Sequence, residues 1–168
     1  MNSLSDRLLR ALIIRLIAEY AVHTLSTNYV SGTGTAGVDN TAQTVKTIVL
    51  PPDTLMHNGD RIRIRSYWKG DTGTGITGTL TCNGVTLGAT TDLGAATFQV
   101  NEAWLHYIDA THANIISMSG GVIDTTISNN NVAGFNWAAA QNISMAQDKI
   151  GNNHIVVFFL AADIFHRN

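Results

Sequence analysis

Cysteine is nearly missing from this chain. Cys82 stands alone among 168 residues, which excludes an internal disulfide and any paired-cysteine zinc knuckle. It lies in the run "TLTCN" with no activating base nearby, so it reads as a small buried strand residue rather than a nucleophile. The lack of disulfides suits assembly in a reducing cytoplasm. Proline is as scarce, occurring only as the adjacent Pro51 and Pro52. Charge is scarce too: Asp, Glu, Lys and Arg make up 13% of the chain, about half the usual share. Thr, Asn, Ser, Gly and Ala fill their place, a swap that favours β-structure with uncharged loops or a surface covered by partners. With a net charge of −2 and a pI near 6.3, no global field draws the chain to nucleic acid or acidic lipid. No uninterrupted apolar run approaches the ~18 residues of a membrane span. The nearest, "LLRALIIRLIAEYAV" from Leu8 to Val22, is broken by Arg15 and Glu19.

What is present divides into three parts. Residues 1–25 are expected to form an amphipathic helix. Ser3 and Asp6 fit a capping box, and Leu4, Leu8, Leu12, Leu16 and Tyr20 recur every four residues, with Ile13 and Ile17 beside them. Asp6 with Arg10 and Arg15 with Glu19 are spaced for ion pairs on the polar side. A stripe this broad must be buried, and these seven apolar residues are assigned to assembly or anchoring. The polar face carries both signs of charge, which argues against a membrane-surface role. Residues 26–43, rich in Gly, Thr and Ser, read as a connector. Its "GTGTAG" is followed by no P-loop lysine.

Residues 44–168 are a succession of strand-like runs: "TVKTIVL", "RIRIRSYW", "TFQVNEAWLHYID", "ANIISMSGGVI", "DTTIS", "WAAAQNISMAQD" and "HIVVFFLAADIF". "TLTC" and "VTLG" flank Asn83–Gly84, the dipeptide of a two-residue hairpin turn. Short strands at ~8–12 residue spacing, with no helical period between them, argue for an antiparallel sandwich or barrel. "HIVVFFLAA" lacks alternation, as expected of a strand covered on both faces or lying at a subunit interface.

The chemistry-bearing residues make no catalytic set. If Ile62 and Ile64 point inward, Arg61, Arg63 and Arg65 share the opposite face of their strand. That stripe reads as an outer or intersubunit face in preference to an anion site, since Lys46, Lys69 and Lys149 are scattered. Six histidines form no HxH or HxxxH pair, so no metal site is assigned, though His106 and His112 could meet across a hairpin. The carboxylates are spread through turns, and Asp53, Asn58 and Asp60 read as turn formers. No cofactor is implied. Trp68, Trp104 and Trp137 are candidate glycan contacts, weighed against core or interface roles.

The segments "TIVLPPDTLMHNGDRIRIRSYWKG", "TLTCNGVTLG" and "HIVVFFLAADIF" together resemble a jelly-roll domain of structural proteins of tailed bacteriophages, over roughly Thr41 to Phe165. The resemblance implies a mainly β, jelly-roll-like sandwich and a non-enzymatic virion component, commonly trimeric. Such a protein serves as a capsid decoration protein, a head fibre or a tail-fibre module, assembled in the host cytoplasm. Its partners would be copies of itself and other virion proteins, and in the tail-fibre or receptor-binding alternative a host surface glycan. The N-terminal helix departs from the simplest members of that group.

Overall fold

Alternation of isoleucine with arginine is the clearest instruction in the chain, and the fold is organised around it. The computed structural model describes residues 22–25, 35–38, 43–70, 76–91, 98–119, 122–123, 127–148 and 154–166. Among them lie twelve strands and no helix: β1 Val22–Leu25, β2 Thr35–Ala36, β3 Gln43–Leu50, β4 Arg61–Gly70, β5 Thr77–Cys82, β6 Val85–Thr91, β7 Phe98–Asp109, β8 His112–Ser119, β9 Val122–Ile123, β10 Asn129–Ala133, β11 Gln141–Gln147 and β12 Ile155–Phe165. The chain is mainly β, arranged as two antiparallel sheets. The larger runs β1-β12-β4-β7-β8-β10, with β2 also on β12 and β9 also on β8; the smaller runs β3-β11-β5-β6.

In β4 the buried positions are Ile62, Ile64, Ser66, Trp68 and Gly70, while Arg61 through Lys69 at odd positions face away. Period two thus sends the isoleucines to the core and the guanidinium groups outward, as their spacing demands. Ile62 meets Leu105 across the ladder and Ile64 meets Ala103. From the smaller sheet, Ile48, Leu50, Leu80, Cys82, Ile143 and Met145 complete the core. Trp68 is one of its two tryptophans, wholly buried, and the chain makes room for it with Gly78. A Cβ on Gly78 would lie 2.6 Å from the indole.

The Asn83–Gly84 hairpin forms as its dipeptide predicts. β5 and β6 are joined by those two residues, at φ +48° and +83°, the left-handed pair a type I′ turn requires. Asn83 also ties the turn to β11: its side-chain NH2 donates to Gln141 Oε1 at 2.8 Å, and its Oδ1 accepts the Asn142 N–H at 3.0 Å. Before β4, the "HNGD" turn closes on Asp60. That wholly buried carboxylate accepts the backbone N–H groups of Met56 and His57, both at 3.0 Å. Asp60 is therefore a turn former, and Gly59 at φ +105° supplies the conformation the turn needs.

Several boundaries differ from expectation. The final residues of the expected helix, Val22–Leu25, form a strand along Ala162–Phe165. Backbone groups on that edge of β12 need partners more than a short valine-containing run needs to continue a helix. Leu4, Leu8, Leu12, Ile13, Leu16, Ile17 and Tyr20 lie outside the described residues, as does most of the connector, in which Thr35–Ala36 pairs with β12. The run beginning at Trp137 is strand only from Gln141, whose side-chain NH2 donates to the carbonyls of Asn136 and Ala139 and holds a turn there.

Candidate functional site

The outer face of the larger sheet is built by register. β4 lies between β12 and β7, so each outward side chain of β4 acquires a neighbour on either side. Arg61 stands between Phe165 and His106, Arg63 between Asp163 and Trp104, Arg65 between Ala161 and Glu102, and Tyr67 between Phe159 and Val100. One strand further on, Asn114, Ile116 and Met118 oppose His106, Trp104 and Glu102. Between Val157 and Phe159 the register of β12 shifts. This bulge places both Phe158 and Phe159 among outward side chains, since Phe158 meets Tyr67 and Phe98 while Phe159 lies under Arg65. It also explains the missing alternation in "HIVVFFLAA", together with burial of the whole stretch Leu160–Ile164.

The three arginines are not equivalent. Arg63 donates to Glu102 at 2.7 Å, and Glu102 accepts the Trp104 indole N–H at 3.0 Å with its other oxygen. The hydrogen bond to Glu102 raises the Arg63 pKa above its ordinary value against the opposing effect of burial. Arg65 donates to the buried carboxylate of Asp163, also at 2.7 Å. Arg61 has no carboxylate partner among the described residues. Its guanidinium lies 5.6 Å from the Trp104 ring centroid and 5.3 Å from that of Phe165, within cation–π range of both.

Two regions follow at opposite ends of this face. At the Lys69 end, Tyr67 stacks on Phe98 at 4.7 Å and Phe158 packs edgewise on Phe98 at 5.5 Å, with the Lys69 ammonium 5.7 Å from Phe98. Tyr67, Phe98 and Val100 are 37–47% exposed there, forming a continuous apolar patch. At the Arg61 end a shallow open hollow of about 290 Å³ is lined by Arg61, Trp104, His106, Ile116 and Met118. Burial, and secondarily the positive charge of Arg61, lowers the His106 pKa and so favours the neutral imidazole.

The smaller sheet turns a different face outward. Ser144 lies between Thr47 and Thr81, and Thr81 is paired in turn with Thr86. A hydroxyl–hydroxyl bond of 2.9 Å joins Thr47 to Ser144. The sandwich therefore presents one aromatic and cationic face and one of neutral hydroxyls interrupted by the exposed pair Val49 and Asn142.

Of the three tryptophans, only Trp104 reaches the surface. Trp68 is 0% and Trp137 2% exposed, which removes both from glycan contact. Trp68 is in phase with Ile62 and Ile64 and so points into the core, while Trp137 stacks on buried Phe135 at 5.0 Å. Trp104 is out of phase with Ala103 and Leu105, hence outward. His106 and His112 do not combine into a site: His112 Nδ1 contacts Asp109 at 2.9 Å in the β7–β8 turn. Among the described residues no three metal-ligating side chains converge. Sequence reasoning did not single out Ile116, Met118, Phe98 or Phe158. Their signal was the outward phase of β7 and β8, which acquires meaning only once those strands are paired with β4.

No protein-family model matches the chain, and no curated protein matches it. Solved structures that match it at low similarity include two. The Emp46p carbohydrate recognition domain is 8% identical, with a TM-score of 0.42 over 87% of this chain and 88% of that one. Alginate lyase Aly36B is 9% identical, with a TM-score of 0.36 over 85% of this chain and 96% of its own. At these values neither likeness carries a function across.

Proposed function

We propose that this chain is a non-enzymatic structural protein of a bacteriophage virion. In this reading it is a homotrimeric capsid decoration protein, attached through its N-terminal region, with a sandwich of jelly-roll type directed outward. The carrying observation is the apolar patch of Tyr67, Phe98 and Val100, in which the Tyr67 and Phe98 rings are already ordered against each other, Phe158 and Lys69. Pre-ordered aromatic rings make contact area at small entropic cost, which suits repeated association between copies. The viral half of the reading rests on the resemblance of Thr47–Gly70, the hairpin after it and the closing run His154–Phe165 to phage jelly rolls. The non-enzymatic half rests on how the acids are used. Asp60 closes a turn, Glu102 binds Arg63 and Trp104, and Asp163 binds Arg65, so each is committed to the scaffold.

Light scattering on the full chain should give three times the 18.0 kDa of one copy, and Phe98→Ser with Val100→Ser should shift it towards monomer. Quantitative mass spectrometry of purified particles should find hundreds of copies per particle. A few dozen or fewer would move the protein to the tail, and none would overturn the virion reading. The tail alternative, host adhesion through a surface glycan, is favoured by one observation: Trp104 stands at the surface beside the hollow at the Arg61 end.

A further inference from the structure

We infer that the hollow at the Arg61 end of the larger sheet binds an acidic sugar, with Arg61 holding its carboxylate and Trp104, Ile116 and Met118 receiving its apolar ring face. This deepens the glycan-adhesion alternative and rests on it. The first argument is charge. Arg63 and Arg65 are each engaged by a carboxylate at 2.7 Å. Arg61, at the rim of the hollow, meets only the rings of Trp104 and Phe165 among the described residues. A guanidinium set over two rings and with no anion among the described residues is oriented in advance for bidentate carboxylate binding.

The second argument is shape and polarity. About 290 Å³ of open space holds roughly one sugar ring, and the lining pairs an indole and two apolar side chains with two hydrogen-bonding groups, Arg61 and His106. Sugars present that same division, a C–H face and an edge of oxygens.

The third argument excludes a peptide main chain. β4 lies between β12 and β7, β7 between β4 and β8, and β8 between β7 and the β9 and β10 strands, so all three strands beneath the hollow are interior. Their backbone groups are engaged by ladders or, at Ser117, by the Ser128 hydroxyl, so an extended peptide would find no open edge to pair with. Recognition must run through side chains. His106 faces Asn114 across the ladder, and Asn114 Oδ1 accepts the N–H of Asn131 at 2.8 Å, which holds that amide in place beside the site.

The test is titration of the full chain with glucuronate, N-acetylneuraminate, glucose and N-acetylglutamate amide, followed by NMR through the Trp104 indole N–H and the His106 ring. Expected are saturable shifts of both groups with at least one acidic sugar, and affinity for glucose or N-acetylglutamate amide weaker by about tenfold or more. Arg61→Met should lose about tenfold in affinity for the acidic sugar, with Arg61→Lys intermediate. Unchanged melting temperature and aromatic circular dichroism would establish that the variants remain folded. Should a variant misfold, the wild-type shifts decide the matter: neither resonance moving with an acidic sugar overturns the proposal. Equal affinity for glucose, or for N-acetylglutamate amide, overturns it as well. If a glycan array shows binding that Arg61→Met leaves intact, adhesion stands while this site fails; if no glycan binds, both fail together.

Discussion

Trp68 and Trp104 carry the same side chain to opposite sides of one sheet, and phase alone separates their fates. At this scale the energetics can be tested directly. Gly78 lies under Trp68 with no room for a methyl group, so Gly78→Ala should lower stability by about 1–3 kcal/mol, read from urea unfolding. Burial pushes the Cys82 thiol up to about 12. The native chain should therefore resist a thiol reagent at pH 8 and react only on addition of denaturant. Asp109 is held at about 2, against an ordinary 3.8, chiefly by the Thr111 backbone N–H and then by His112. A carboxylate with a lowered folded pKa contributes stability above its unfolded value and loses it as the pH falls through the folded value. The melting-temperature deficit of Asp109→Asn should thus be steady above about pH 4 and shrink towards zero near pH 2. A deficit that persists unchanged at pH 2 would show that the charge is not the cause.

At the scale of elements, the β5–β6 hairpin shows how much was legible before any strands were paired. Asn83–Gly84 names its own turn because few residues tolerate two successive positive φ values. Nothing crowds a Cβ at Gly84, yet its φ of +83° remains, so Gly84→Ala should cost about 1–3 kcal/mol through backbone strain alone. A loss below a few tenths would imply that the turn relaxes. The inward isoleucines and outward arginines of β4 were readable for a similar reason, since period two is a local property. Which carboxylates would meet those arginines was not readable. Glu102 and Asp163 belong to β7 and β12, far away in sequence, and their pairing follows from strand order. The hollow was invisible for the same reason, because its five lining residues come from three strands. Trp137 misled through composition: it stands beside an alanine-rich run that reads as strand, but the Gln141 side chain captures the carbonyls of Asn136 and Ala139 and turns the chain there.

For the whole molecule, the two faces of the sandwich divide the work. The aromatic end of the larger sheet clusters its exposed apolar side chains in one place, whereas on the smaller sheet Val49, 57% exposed, stands among hydroxyls and amides. The strand at Val22–Leu25 also changes how the anchoring idea should be tested. Removing everything through Leu25 would strip a strand from β12, so the informative deletion stops before Val22. A chain lacking residues 2–21 should keep the melting temperature and circular dichroism of the β-domain but fail to join particles in a co-assembly assay. Normal incorporation of that truncation would sink the anchoring role.

β12 is bordered by β4 on one side and by β1 and β2 on the other, which makes it the hub of the larger sheet even though it follows every other described strand in the chain. During synthesis, β1, β2 and the outer edge of β4 therefore wait for residues up to Phe165 to clear the ribosome. Throughout that interval the edge of β4 that β12 later covers is open to pairing with neighbouring nascent chains.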